Sequence, residues 1–358
     1  MRKSRDFLVL NKHYVLYYEY VDHHHHDNTM KVLFCGRDMH FGYAYTKEEI
    51  EHVHGIGRVV QCDRTDLEKE IVDADVIVPL MMPITRDVLL KCTRAKLIIQ
   101  YGAGIEGIDM AAASDLGIYV SNIPSKDTGN AESCAEMCIF LALALLRKIT
   151  RMGHSIANKQ LGVPIGCMLK HSQACVVGFG NIAKALIPLL DAFDVRMSVL
   201  RRSAVWSGED RTFLELLTDT GQVCKESDLK RILGKADLIF LTCSLNQSSA
   251  HIVNDLFLSY CKEGVRIVNV ARGGLLEYEA VLRGLQSGKI GGLGLDVQFQ
   301  EPFDPSDPIT AYDNVYLTPH VAGVTETSYR NMAKIVCSES KKVVIDGERP
   351  TITLNACT

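Results

Sequence analysis

No apolar run in this 358-residue chain is long enough to span a bilayer. The longest, residues 137–146, is half the ~20 residues a membrane helix needs, so a buried helix is expected there and no membrane partner. Charge of either sign is also lacking in excess. Lys and Arg total 39 against 43 Asp and Glu, which leaves no basic surplus to hold nucleic acid or anionic lipid. The twelve cysteines form no CxxC pair, and no signal-peptide pattern precedes them. Reduced thiols and a cytoplasmic setting are therefore expected. His52 and His54, in EHVHG, have no nearby ligand type to complete a metal site, so a solvated face is the better reading and no metal is expected. There is no internal repeat. Trp206 is the only tryptophan; it follows the RRS turn at 201–203, either beside a nucleotide or as a loop anchor.

Hydrophobic residues make up 47% of the chain, enough for a large core and for two domains. Residues 1–30 differ from the rest: they mix basic residues, tyrosines and four consecutive histidines, His23 to His26, and are expected to be a disordered N-terminal extension. From residue 31 apolar strands and helices alternate, which predicts parallel α/β architecture. Strands are expected at KVLFCG, at 74–80, 96–102 and 117–122, and later at 197–200, 238–244, 266–271, 292–297 and 314–320. TKEEIEHV reads as a helix capped by Thr46, with Glu49 at capping-box spacing. The segment 131–148 is a helix apolar nearly all round, so it is buried or packed on another subunit. Cys134 and Cys138 within it read as small core residues rather than a redox pair. Pro188 should kink the helix that follows residue 180.

ACVVGFGNIA, at 174–183, is a strand, a glycine turn and a helix start. Gly178 permits the tight turn, Gly180 admits a pyrophosphate close to backbone, and Ala183 is the small residue where helix meets strand. The helix N-terminus then offers N–H groups to phosphate. The position that reads the adenosine ribose falls at Arg201, followed by Arg202 and Ser203. An arginine pair attracts a 2′-phosphate, so NADP is favoured over NAD.

Behind this turn come VNVARGG around Arg272, DVQFQEP ending at Glu301 and Pro302, and TPHVAG around His320. Reduction of a 2-oxo acid needs a cation for the carboxylate and a proton donor for the oxygen. It also needs a carboxylate to fix the donor's tautomer and favour its charged form. Arg272, His320 and Glu301 are candidates for those roles.

These motifs, with YGAGIEGID at 101–109 and SCAEMCIFLALALLR at 133–147, resemble the D-isomer-specific 2-hydroxyacid dehydrogenase family over residues 31–345. Its members include hydroxypyruvate and glyoxylate reductases and phosphoglycerate dehydrogenase. The resemblance implies two Rossmann-like α/β domains: a split, flavodoxin-like substrate-binding domain (31–125 and 322–358) with an NAD(P)-binding domain (126–321) inserted. It implies a homodimer formed through the helix at 131–148. Arg272 would bind the carboxylate and oxo group, His320 would be general acid in reduction, and Glu301 its partner. Ala103 and Gly104 would offer backbone N–H groups to the carboxylate. Phe179, Gly180, Asn181 and Ile182 would sit at the pyrophosphate, and Cys243 and Ser244 near the adenosine. Val270, Ala271, Asp296 and Gly323 would surround the nicotinamide, with Asp296 taking its carboxamide. Two departures stand out: Arg201 replaces the family's usual acidic residue, and 124–136 is a few residues longer than in many members. The expected activity is reduction of a small 2-oxo acid, hydroxypyruvate or glyoxylate, to the D-2-hydroxy acid. The alternative is a non-catalytic, corepressor-like dinucleotide sensor. Formate oxidation is disfavoured, because it generates no oxyanion for a histidine–carboxylate pair to protonate.

Overall fold

The computed structural model describes residues 29–37, 40–201 and 226–356. Most of the expected extension therefore lies outside the described residues, as do Arg202, Ser203 and Trp206.

Two parallel sheets, each covered by helices, make up two Rossmann-like domains. The first contains β1 (Met30–Cys35), β2 (Gly57–Cys62), β3 (Val76–Pro79), β4 (Leu97–Gln100) and β5 (Tyr119–Asn122), in the order β2-β1-β3-β4-β5. That is the flavodoxin-like doubly wound order. β1, β3 and β4 are buried along their whole length, which is why they read as apolar runs interrupted only by Lys31 in β1 and Gln100 at the end of β4. β2, at the sheet edge, was not expected from the sequence. Arg58 is exposed and Gln61 half-buried in it, and this dilutes the apolar signal.

The second sheet contains β6 (Gln173–Val177), β7 (Arg196–Leu200), β8 (Leu238–Leu241), β9 (Val265–Asn269), β10 (Ile290–Leu295) and β11 (Val315–Leu317). Its order, β11-β10-β9-β8-β6-β7, reverses direction between β6 and β8. In open parallel sheets that crevice, at the carboxyl ends of the strands, is where ligands bind.

The helix Asn130–Arg147 lies over β9 and β10 and against the helix Asn181–Ala192. Its apolar surface is mostly consumed there, with Cys138, Leu141 and Ala142 fully buried. Burial pushes the Cys134 thiol up to about 12, in keeping with an inert core residue. The helix Asn181–Ala192 continues through Pro188, which sits on its exposed side. The last long helix, Glu326–Ser340, returns to the first sheet: Tyr329, Met332 and Val336 join the core of β1, β3 and β4. Beyond it, Leu354 N–H donates to Val120 O at 2.8 Å, tying the chain end to β5.

One local expectation is overturned. Thr46 caps nothing; it is buried inside the helix His40–Lys47, six residues past its start, and its hydroxyl donates to Gly42 O at 2.7 Å. The hydroxyl satisfied within the preceding turn competes with, and here replaces, the capping role.

Candidate active site

β6 runs directly into Gly178, whose φ of +106° lies in the region glycine favours. A Cβ there would come within 2.7 Å of the Cys243 backbone, beyond the end of β8 on the other side of the crevice. Gly178 is thus required twice, for conformation and for contact. Gly180 is exposed, with open space where a side chain would project, and the helix Asn181–Ala192 begins beside it. Ala183 is fully buried at the helix–sheet contact. The first-turn N–H groups of a helix have no partner within it, so this turn offers donors to an anion in unobstructed space. Those features fit a dinucleotide pyrophosphate. Phe179 and Ile182 are half-buried, and the Asn181 amide donates to Ser125 Oγ at 3.2 Å.

The remaining residues expected at the nucleotide arrive from the other strand ends. Arg201 follows β7 and is half-buried; Cys243 and Ser244 follow β8; Val270 and Ala271, both buried, follow β9. Gly323 is half-buried near Asn130.

Arg272 sits on the turn after β9, and buried Asn269 fixes that turn. Its Oδ1 accepts Ala271 N–H at 3.0 Å and its Nδ2 donates to Arg272 O at 2.8 Å. The guanidinium itself donates to Ala271 O at 2.7 Å. Next in sequence, a Cβ on Gly273 would overlap the Gln298 carbonyl, so the arginine turn packs backbone to backbone on the loop carrying Glu301. Gln298 N–H donates to Glu301 Oε1 at 2.9 Å, and His320 Nδ1 pairs with Glu301 Oε2 at 2.9 Å.

His320 adopts a left-handed φ of +56°, unusual for a residue with a side chain. Asp296 accounts for it. Its backbone O accepts His320 N–H at 2.9 Å, and its carboxylate accepts Thr318 Oγ1 at 2.6 Å, Val321 N–H at 2.9 Å and Ala322 N–H at 2.8 Å. The residue expected to touch the nicotinamide carboxamide is thus the buried anchor of the histidine turn. Asn269, Gln298 and Thr318 were all missed as supports. The signal for Asn269 was available, as an uncharged polar residue directly after the apolar pair Ile267–Val268 at the strand's end.

Burial opposes ionisation of Glu301, but the His320 hydrogen bond and charge, the Gln298 N–H and the Arg272 charge outweigh it. The carboxyl is lowered from its ordinary 4.5. The Arg272 charge therefore reaches the pair, and the three expected residues stand together. His320 Nε2 has no protein partner among the described residues, and about a third of the ring (31%) is exposed. The arrangement can hold a carboxylate or oxyanion at Arg272 and move a proton at Nε2. No group of metal-ligating side chains occurs among the described residues.

The profile of the family "D-isomer specific 2-hydroxyacid dehydrogenase, NAD binding domain" matches residues 139–322. A glyoxylate reductase of Thermofilum pendens is 30% identical over 82% of this chain and 84% of its own length. A D-3-phosphoglycerate dehydrogenase of Methanocaldococcus jannaschii is 30% identical over 89% of this chain but only 56% of that longer protein. In fold, the chain is similar to apo D-lactate dehydrogenase from Escherichia coli, with a TM-score of 0.77, 24% identity, and coverage of 91% of this chain and 100% of that one.

Proposed function

Since the chain belongs to the D-isomer-specific 2-hydroxyacid dehydrogenase family, and is a nicotinamide-dependent dehydrogenase of CH–OH donors, we propose that it reduces a small 2-oxo acid of the glyoxylate or hydroxypyruvate class to the D-2-hydroxy acid. The observation that carries this reading is the 2.9 Å His320–Glu301 pair within reach of the Arg272 charge. A bound reduced nicotinamide supplies the hydride. Arg272 holds the substrate carboxylate and oxo group and offsets the negative charge that grows on oxygen. His320 delivers the proton to that oxygen from Nε2, while Glu301 keeps Nδ1 protonated and the ring oriented. Asp296, through the turn it anchors, sets the height of the ring. Among the described residues its Oδ2 accepts one donor, Ala322 N–H, which leaves capacity for a carboxamide N–H.

Arg201, standing where the ribose is read, supports NADP as the preferred cofactor. The test follows absorbance of NADPH and, separately, NADH with glyoxylate, hydroxypyruvate and pyruvate. NADPH oxidation that falls in Arg201→Ala supports both parts; preference for NADH keeps the enzyme and removes the arginine's role. Tight cofactor binding without turnover of any 2-oxo acid would favour the corepressor-like sensor, which draws no support from the relatives above.

The lowered Glu301 predicts the sense of a pH effect. A depressed carboxyl contributes its pairing above its ordinary 4.5 and loses it as pH falls through the lowered value, so at neutral pH the pair is fully formed. Glu301→Gln cannot be protonated in this way, so the fall of kcat/KM on the acid side that comes from losing the pair should be absent in the variant, and an unchanged acid limb would deny the pairing.

Homodimerisation is supported by exposed apolar residues concentrated in the segment 156–168 that follows the helix Asn130–Arg147. Leu161 is 97% exposed, Ile165 83% and Ile156 79%, with Phe140 and Met168 also exposed. Singly exposed apolar residues are ordinary, but Ile156, Leu161, Ile165 and Met168 fall within thirteen residues, more than a lone chain ordinarily shows. Sedimentation should give a dimer that Ile156→Asp weakens; a wild-type monomer at micromolar concentration would remove this part. No helix among the described residues is long and apolar enough to cross a membrane. The ten described cysteines are all free thiols, consistent with the cytoplasm, which cell fractionation would check.

A further inference from the structure

Arg272 already has a carboxylate against it. Glu106, on the loop leaving β4, brings Oε1 to 3.6 Å from Arg272 Nε, and it is the only ion-pair partner of Arg272 among the described residues. Gly104 lies between the two. A Cβ on Gly104 would overlap both the Arg272 guanidinium and Glu106 Oε2, so the arginine, the carboxylate and the Gly104 backbone meet at one point. A guanidinium facing the Ala103–Gly104 backbone is the constellation expected to receive the substrate carboxylate. Glu106 occupies it with a carboxylate of the chain's own.

The surrounding loop is pinned. Asn122 Nδ2 donates to Ala103 O at 2.7 Å, and Ile123 N–H donates to Gly102 O at 3.1 Å. What yields to an incoming substrate is therefore the Glu106 side chain, which is 52% exposed and held to Arg272 by a 3.6 Å ion pair. Once displaced it stays within a side chain's length of the same point, and its charge stays in the cleft. Arg37, after β1, pairs with Asp63 and Asp66.

We propose that Glu106 is a specificity-determining residue: a built-in carboxylate that competes for the substrate's anchoring point on Arg272 and restricts efficient turnover to 2-oxo acids bearing one negative charge. The proposal rests on the role given to Arg272 above. A substrate with a second anionic group, a phosphate or a distal carboxylate, meets like charge at close range where solvent screens it incompletely. A neutral hydrogen or hydroxymethyl group meets none, and the hydroxyl finds an acceptor.

The test compares cofactor-saturated wild type and Glu106→Gln with hydroxypyruvate and with 3-phosphohydroxypyruvate. The ratio of kcat/KM for the phosphorylated over the unphosphorylated substrate should rise about tenfold or more in the variant. Oxamate, a monocarboxylate that accepts no hydride, should bind the variant more tightly by calorimetry. Glu106→Asp keeps the charge but draws it back from Arg272: oxamate binding should tighten while discrimination against the phosphorylated substrate persists. An unchanged substrate ratio with unchanged oxamate affinity in Glu106→Gln would overturn the proposal and leave Glu106 a loop strut. If wild type turns over no 2-oxo acid, the functional reading fails by itself. The oxamate comparison still decides whether Glu106 competes at Arg272.

Discussion

Replacing His320 by alanine should lower kcat for 2-oxo acid reduction by ~10²–10⁴-fold while leaving cofactor affinity within a small factor. The carbonyl oxygen must gain a proton as its carbon gains hydride. Among the three residues brought together here, only the imidazole can pass a proton on: a guanidinium does not give its proton up, and the Glu301 carboxyl is held in its ionised form. Its Nδ1 is taken by Glu301 at 2.9 Å, so the transfer falls to Nε2. Removing the ring leaves water as the acid, with no fixed orientation. The left-handed φ of +56° needs care in choosing a control, because a replacement that strains there would mimic a catalytic loss. Asparagine tolerates this region better than most residues and transfers no proton. His320→Asn should therefore fall as far as His320→Ala, with a melting temperature close to wild type. Stopped-flow single turnovers would read the chemical step directly. A rate unchanged in both variants would take His320 out of the mechanism and leave the Glu301 pair a structural contact.

How much of this was legible in the sequence follows from how each residue earns its place. β1, β3, β4 and β8 are buried on both faces, so their apolar runs were plain. β2 was lost because an edge strand shows solvent one side and carries polar residues there. Arg272, Glu301 and His320 were visible because each lies in a motif whose neighbours are constrained too: Gly273 by the Gln298 carbonyl, the turn before His320 by the Asp296 carboxylate. Asp296 was found, but its most evident work was not, since a carboxylate bonded to Thr318 and two backbone N–H groups leaves no pattern in its own segment. Glu106 was missed for a different reason. Its partner is remote in the chain, and only the packing of the first sheet's loop against the second sheet's turn puts them together.

Arg272 should be nearly as costly to lose as His320. Arg272→Ala is expected to reduce kcat by ~10²–10³-fold, the usual effect of deleting one preorganised donor to a developing oxyanion, and to raise KM for the 2-oxo acid as well. Loss in both parameters separates it from the histidine: a proton donor acts on the chemical step, whereas the guanidinium holds the carboxylate before the step and the oxyanion during it. Arg272→Lys sharpens the comparison. Lysine keeps the charge but is a point donor without the planar fork, so it should recover part of the KM and little of the kcat. The rigid placement of the turn by Asn269, which holds Ala271 N–H and Arg272 O, makes this a test of the fork rather than of the backbone. The same substitution bears on Glu106. If that carboxylate acts by competing for the guanidinium, then once Arg272 is alanine the further change Glu106→Gln should no longer tighten oxamate binding, a non-additivity that a double-mutant cycle reads directly. An Arg272→Ala enzyme with wild-type kcat and KM would dismantle both roles at once, because each depends on the guanidinium being where the substrate's carboxylate must go.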